Sequence, residues 1–146
     1  MSSNREGFTR IGKKGDLTVY LTHVKFPEDH EEHGALYLRN EHRKVDEGGC
    51  PAFLLPFRDF WHFQPEDRDR GKFNSYHDMS AMLANASIAL YGFDVPEYRH
   101  RIHDAILDYS DDVKNLAPPP GKTKEEFERE LERHKVKLYV NGERIR

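Results

Sequence analysis

The feature that most constrains the fold is an apolar repeat that runs for about five helical turns from Tyr98 to Leu116. Its members are Tyr98, Ile102, Ala105, Ile106, Tyr109, Val113 and Leu116. Asp94 is the predicted N-cap, and Pro96 falls in the first turn, where proline is tolerated. The spacing predicts a long amphipathic helix whose apolar stripe must be covered by another element.

A second helix is predicted just before this one, from Ser75 to Tyr91. Gly92 follows it and is expected in the left-handed conformation that ends many helices. Its apolar face is made by Met79, Leu83, Ala86 and Leu90. Because only a few residues separate the two helices, they are expected to form an antiparallel helical hairpin with the first helix central and largely buried.

The N-terminal half carries the signals of β-strands. Apolar and polar residues alternate from Leu17 to Phe26, and shorter strands are predicted at Phe8–Ile11 and Ala35–Arg39. A turn at Gly12–Gly15 would join the first two strands. The short apolar run Ala52–Leu55 is compatible with a buried strand.

The C-terminal part reads as a surface helix followed by a strand or hairpin. Thr123 and Glu126 have the spacing of a capping box, which opens a helix to about His134. Its apolar residues are Phe127 and Leu131. Alternation from Val136 to Val140 predicts a strand, and Asn141-Gly142 is a strong hairpin signal.

These elements predict an α+β fold, in which a small antiparallel sheet from the N-terminal half and a C-terminal strand pack on the helical hairpin. The third helix lies on the surface. Residues 1–7 are expected to be a flexible tail, and residues 8–146 a single domain, as a length of 146 residues favours.

Composition narrows the function classes. A net charge of −3 argues against general nucleic-acid binding, which needs a basic surface. The single cysteine excludes an intramolecular disulfide and a cysteine-rich zinc site. The longest uncharged run, residues 79–93, is too short to span a bilayer. We therefore expect a soluble cytoplasmic protein without a membrane partner.

The segment from Cys50 to Phe63 is the most aromatic part of the chain and contains its only tryptophan. Such a segment belongs to a core or anchors a binding surface, and the sequence leaves both open. Beyond Pro56 it fits either a helical turn or a continuing strand. The predicted partner-binding residues are Phe57, Phe60, Trp61, Phe63, Arg68 and Arg70.

The polar face of the long helix carries a histidine and several carboxylates. Its members are Glu97, His100, Asp104, Asp108 and Asp111. One interpretation is the solvated face that any amphipathic helix needs; the other is a set of metal ligands or an acidic strip for a basic partner. In the metal interpretation, His100 and Asp104 would converge with histidines from the strand region, such as His23 or His62.

No catalytic motif accompanies these residues. The chain has no G-x-S-x-G, P-loop or G-x-G-x-x-G sequence, and the pair His30/His33 is one residue short of the H-E-x-x-H spacing. The sequence predicts a non-catalytic protein-binding module without a cofactor: an inhibitor, adaptor or accessory factor of the kind that phages and other mobile elements encode. The alternatives are a metal-dependent enzyme and a nucleic-acid-binding protein that uses Arg68–Lys72. No motif specifies an oligomeric state.

Overall fold

The computed structural model describes residues 7–25, 27, 31–43, 51–57, 77–137, 139–140 and 143–144. Within them, strands come first, three helices follow, and a small hairpin comes last. The elements are β1 (Thr9–Lys14), β2 (Leu17–Lys25), β3 (Glu32–Asn40), β4 (Ala52–Pro56), α1 (His77–Tyr91), α2 (Pro96–Lys114), α3 (Lys124–Arg133), β5 (Tyr139–Val140) and β6 (Glu143–Arg144). The predicted α+β class is confirmed.

The first four strands form one antiparallel sheet in the order β1-β2-β3-β4. Leu21 pairs with Leu36 and Val19 pairs with Leu38, so these apolar side chains lie on the same face of the sheet. All four strands were predicted at these places. β2 and β4 match their predicted bounds to within one residue, β1 ends three residues later than predicted, and β3 extends its predicted strand at both ends.

The predicted turn at Gly12–Gly15 is wrong in its extent. β1 continues to Lys14, and the turn to β2 occupies residues 15 and 16. Gly12 lies in β1 opposite Val19, next to an irregularity in the register. A Cβ atom at Gly12 would lie 2.3 Å from the hydroxyl of Tyr109. Glycine is therefore needed here for the close approach of α2 rather than for a turn.

The helical hairpin forms as predicted, but α1 is less buried than expected, because Ala81, Asn85 and Ile88 are exposed on it. Gly92 has a φ of +96° and ends α1, and a connection of four residues, 92–95, leads into α2. The N-cap of α2 is Val95 rather than Asp94, with Pro96 at the first helical position. The carboxylate of Asp94 instead binds Arg99, which explains why it does not cap the helix.

The two helices bury their apolar stripes between each other and the sheet. Side chains of both helices and of β2 and β3 meet in one core. Its fully buried members include Leu17, Val19, Leu21, Leu36, Leu38, Leu83, Leu90, Ile102 and Ile106. Among the described helices, none combines the length and the apolar character that crossing a bilayer requires.

α3 begins at the predicted capping box: Thr123 accepts from the Glu126 backbone N–H, and Glu126 accepts from the Thr123 backbone N–H. It contributes two buried side chains, Phe127 and Leu131, to the core. Beyond it, β5 pairs with β6 in a separate two-stranded sheet. This agrees with the hairpin predicted around Asn141-Gly142, two residues that lie outside the described part.

Candidate functional site

The connection between α1 and α2 brings two tyrosine rings together at the surface. Tyr91 is the last residue of α1, and Tyr98 lies in the first turn of α2. Their rings are parallel to within 3°, with centroids 4.1 Å apart. Because Gly92 ends α1 and Pro96 fixes the start of α2, the backbone holds the two rings in a stacked pair.

Phe93 lies in the connection itself and is 56% exposed. Its ring centroid is 5.2 Å from that of Tyr98, and the two ring planes make an angle of 62°. The phenyl and phenol rings therefore form an open corner at the tip of the hairpin. A phenylalanine left this exposed forgoes about 1–2 kcal/mol of the stabilisation that full burial would provide.

Arg101 completes this surface. Its guanidinium carbon lies 5.9 Å from the Tyr91 ring centroid and 5.6 Å from the Tyr98 centroid, within the range of cation–π contacts. A hydrogen bond of 2.7 Å to Glu97 and an ion pair of 3.5 Å with Asp16 hold the guanidinium in this position. We call Tyr91, Phe93, Tyr98 and Arg101 the hairpin patch.

The charged side chains around the hairpin patch, which we call its rim, are held by hydrogen bonds and ion pairs. They include Asp16, Asp94, Glu97 and Arg99. The Tyr91 hydroxyl donates to Asp16 at 2.7 Å, and burial together with this carboxylate raises the pKa of Tyr91 well above its ordinary value. The hydrogen bond from Arg99 lowers the pKa of Asp94. Tyr91 is therefore protonated and Asp94 ionised at neutral pH, and neither group changes its charge near neutrality.

A second cluster, formed by buried and partly buried polar side chains, joins three other elements. The Thr9 hydroxyl of β1 donates to Glu130 of α3 at 2.8 Å and lies 2.9 Å from His134 Nε2. His134 Nδ1 lies 3.1 Å from His23 Nδ1 of β2. We call His23, His134, Thr9 and Glu130 the polar chain. Thr9 is only 1% exposed, so its contact with a histidine does not make it an accessible nucleophile.

His134 is held neutral in this cluster. Burial is the main cause that lowers the pKa of His134 to about 4, and the charge of Arg133 adds to it. The carboxylate of Glu130, 3.7 Å from Nε2, acts in the opposite direction without reversing the shift. The histidine therefore acts as a neutral hydrogen-bonding group within the core.

The predicted partner-binding residues divide into two groups. Phe57 is only 3% exposed and belongs to the core, so the expectation of an exposed anchor needs correction at this position. Its place directly after β4 continues the inward-facing side of that strand, where Leu55 is also buried. The other five residues, Phe60, Trp61, Phe63, Arg68 and Arg70, lie outside the described residues, and their role stays a prediction.

The alternative metal ligands lie on α2. His100 and Asp104 are both partly buried there. In the described part of the chain, no three side chains among His, Cys, Asp and Glu come together as a metal site. His23, proposed as a converging ligand, makes its hydrogen bond with His134, and His62 lies outside the described residues. The metal interpretation therefore gains no geometric support and stays a prediction.

The acidic strip of α2 is partly neutralised by neighbouring cations. Glu97 pairs with Arg101, and Asp111 pairs with Lys114 at 3.2 Å. Asp108 binds Lys14, which reaches it from β1. These pairs weaken the negative field that a basic partner would recognise.

Sequence reasoning did not single out the hairpin patch or the polar chain. Tyr98 was assigned to the apolar stripe of α2 and Tyr91 to the end of α1. One available signal was Phe93, a large apolar residue in a four-residue connection where neither predicted helix face could cover it. The polar chain carried no local signal, because Thr9 and His134 are separated by 125 positions.

The chain matches no family model, no curated protein and no solved structure. Its function is therefore argued from the geometry of the described residues. Of the two clusters, the hairpin patch includes an exposed aromatic ring, Phe93, and an exposed guanidinium, Arg101, so it is the better basis for a functional proposal.

Proposed function

We propose that this protein is a non-catalytic protein-binding module that holds its partner through the hairpin patch. The observation that carries the proposal is the exposure of Phe93 beside a stacked tyrosine pair and an arginine. Aromatic side chains and arginine are the residues most enriched at the energetic centres of protein interfaces. A small inhibitor, adaptor or accessory factor, including one encoded by a mobile element, would need no more than such a surface.

The hairpin patch is organised before any partner arrives. Tyr91 is fixed by its hydrogen bond to Asp16, and Arg101 by Glu97 and Asp16. Side chains that are already ordered lose little rotamer entropy on binding, a loss that otherwise costs about 0.5–1.5 kcal/mol for each flexible side chain. This supports a binding role for the patch rather than a chance exposure of one ring.

The charges around the patch nearly balance, which indicates the chemistry of the partner. Three arginines and three carboxylates lie in the hairpin patch or next to the hairpin connection. They are Arg43, Arg99, Arg101, Asp16, Asp94 and Glu97. We therefore propose a partner protein that inserts an apolar side chain into the corner between Phe93 and Tyr98, with a mixed rather than strongly charged surface around it.

The test begins with a library of protein fragments from the source organism, displayed on phage and selected on the immobilised wild-type protein. Selected fragments are then titrated by calorimetry against the wild type, Phe93→Ala and Leu54→Ala. Leu54 is a matched control because it is also apolar and exposed but lies on β4. We expect Phe93→Ala to weaken binding at least about 30-fold and Leu54→Ala to change it less than about threefold.

The opposite pattern, with binding lost in Leu54→Ala and kept in Phe93→Ala, would reject the hairpin patch as the binding surface. Selection of the chain's own fragments would show that the occupant is a second copy rather than another protein. The affinity is also expected to change less than about threefold between low and high salt, because the rim charges balance.

The proposal includes a cytoplasmic location, which the single cysteine supports because such a chain gains nothing from an oxidising compartment. The metal-dependent enzyme remains the alternative prediction. Elemental analysis of protein purified without a histidine tag tests it: stoichiometric Zn, Mn or Fe would favour the enzyme over the binding module.

A further inference from the structure

The polar chain has a defined direction of hydrogen bonding that follows from counting protons. Thr9 has a single hydroxyl proton, and Glu130 is its charged acceptor. Burial raises the pKa of Glu130, but the hydrogen bond from Thr9 and the charges of Lys122 and Arg133 outweigh it, so the net shift is downward. An ionised Glu130 therefore accepts the hydrogen bond that the Thr9 hydroxyl donates.

The hydrogen bond from Thr9 to Glu130 also determines which nitrogen carries the proton in each of the two histidine rings. Because its one proton is directed at Glu130, the Thr9 oxygen acts toward His134 only as an acceptor, as it does toward Arg133 at 3.5 Å. His134 therefore carries its proton on Nε2. A neutral ring protonated on Nε2 has an unprotonated Nδ1. That nitrogen lies 3.1 Å from Nδ1 of His23, which must therefore be the donor.

The groups that face His134 come from four places in the fold. His23 faces it from β2, and the uncharged Thr9 faces it from β1. Glu130 and Arg133 face it from α3, and Lys122 from the loop that precedes α3. Two of the fixed charges are positive and one is negative, so a proton added to the ring is poorly compensated.

His134 lies where α3 ends, and the residues after it contact the sheet directly. It is the C-cap of α3. The backbone N–H of Gly34 on β3 donates to the carbonyl of Lys135 at 3.0 Å. A Cβ atom at Gly34 would lie 2.8 Å from Cα of Val136, so the two backbones touch. The polar chain and this contact together tie the end of α3 to β1, β2 and β3.

We propose that the His23–His134 contact is an acid-sensitive latch that holds α3 and the segment after it on the sheet. When His134 carries a second proton, its Nδ1 bears hydrogen and can no longer accept from the Nδ1–H of His23, so two N–H groups oppose each other. The hydrogen bond cannot form in that state. Acidification therefore releases α3 from the sheet while the α1–α2 hairpin, held by its apolar stripe, stays packed.

The first measurement is the ¹⁵N spectrum of the histidine rings in the wild-type protein at neutral pH. We expect His134 as the tautomer protonated on Nε2 and His23 with a proton on Nδ1. A His134 ring protonated on Nδ1 alone would overturn the assignment and the latch with it. This measurement needs no variant, so it holds even if a substitution prevents folding.

The second measurement is amide hydrogen exchange at pH 7 and pH 4.5. Protection factors are expected to fall at least about tenfold across residues 124–136 and at Gly34, and less than about twofold across residues 102–109. His134→Gln keeps one donor and one acceptor without a titratable ring, so its α3 should lose little protection at pH 4.5. His42→Gln, at an exposed histidine, is the matched control and should behave like the wild type.

Two results would contradict the latch. One is an equal loss of protection in all helices of the wild type, which would mean global unfolding. The other is an unchanged loss across α3 in a folded His134→Gln protein, which would place the acid-sensitive group elsewhere.

Discussion

The hairpin patch and the polar chain show opposite uses of side chains within one small fold. In the patch, an apolar ring of Phe93 is left in solvent while charged groups around it are paired. In the polar chain, a hydroxyl and a histidine that could both bond to water are buried instead. Under the proposed function, the exposed ring of Phe93 is the group that a partner would cover, whereas Thr9 and His134 already have hydrogen-bond partners within the fold.

The largest expected effect on stability distinguishes the buried apolar stripe of the hairpin from its exposed tip. Ile102→Ala removes a fully buried side chain and should lower the free energy of unfolding by about 2–5 kcal/mol. Phe93→Ala, at the exposed tip, should lower it by less than about 1 kcal/mol. Urea denaturation of both variants measures the difference. Comparable losses of unfolding free energy in the two variants would show that Phe93 supports the fold. That result would contradict its assignment to an exposed binding surface.

The next effect is the pH dependence that His134 imposes. Its pKa is about 4 in the folded protein and 6.5 in the unfolded chain, so the unfolded chain takes up the proton first as the pH falls. This contribution to stability is complete above pH 6.5 and is lost progressively down to pH 4, by about 3 kcal/mol in total. Denaturation at several pH values should give a flatter profile for His134→Gln. Parallel profiles would contradict the neutral, buried assignment.

A smaller effect on stability is expected at Thr9, the member of the polar chain that lies on β1. Thr9→Val keeps the shape of the side chain but removes the donor to Glu130 and the acceptor for His134. The loss should be about 1–3 kcal/mol, because the buried His134 and the partly buried Glu130 both lose this partner. Thr9→Ser retains the hydroxyl and serves as the control in the same thermal denaturation. If the valine and serine variants were equally stable, the hydrogen bonds of Thr9 would contribute nothing.

The smallest effect is expected at the rim of the hairpin patch. Glu97→Gln weakens an exposed ion pair with Arg101, and such pairs contribute about 0–1 kcal/mol. Stability measured by denaturation should change by less than about 0.5 kcal/mol. A loss larger than 1.5 kcal/mol would mean that the rim supports the fold rather than a binding surface.

Much of the fold follows from local patterns. The stripe of α2, the end of α1 at Gly92 and the capping box of α3 depend on residues a few positions apart, so the sequence predicts them. The assignment of Asp94 as an N-cap failed because Arg99 competes for its carboxylate. Gly12 was placed in a turn because its true constraint, the approach of Tyr109, comes from the other half of the chain.

The candidate sites depend on contacts that no local pattern encodes. Tyr91 meets Asp16 across 75 positions, and His23 meets His134 across 111. Sequence patterns relate residues that are a few positions apart and carry no information about such distant pairs. Neither cluster could therefore be predicted from the sequence. The aromatic and charged binding surface predicted from the sequence lies at Phe57–Arg70 of the chain rather than at the hairpin tip, and it stays a prediction at the five residues outside the described part.

The central claim, that the hairpin tip contacts a partner protein, is tested most directly by photo-crosslinking. A benzoyl-phenylalanine introduced at position 93 places the reactive ketone in the corner beside Tyr98, and the same residue at position 54 is the control. Irradiation with a fragment selected on the wild type should give one covalent adduct from position 93 and none from position 54. Adducts from position 54 alone would contradict the account.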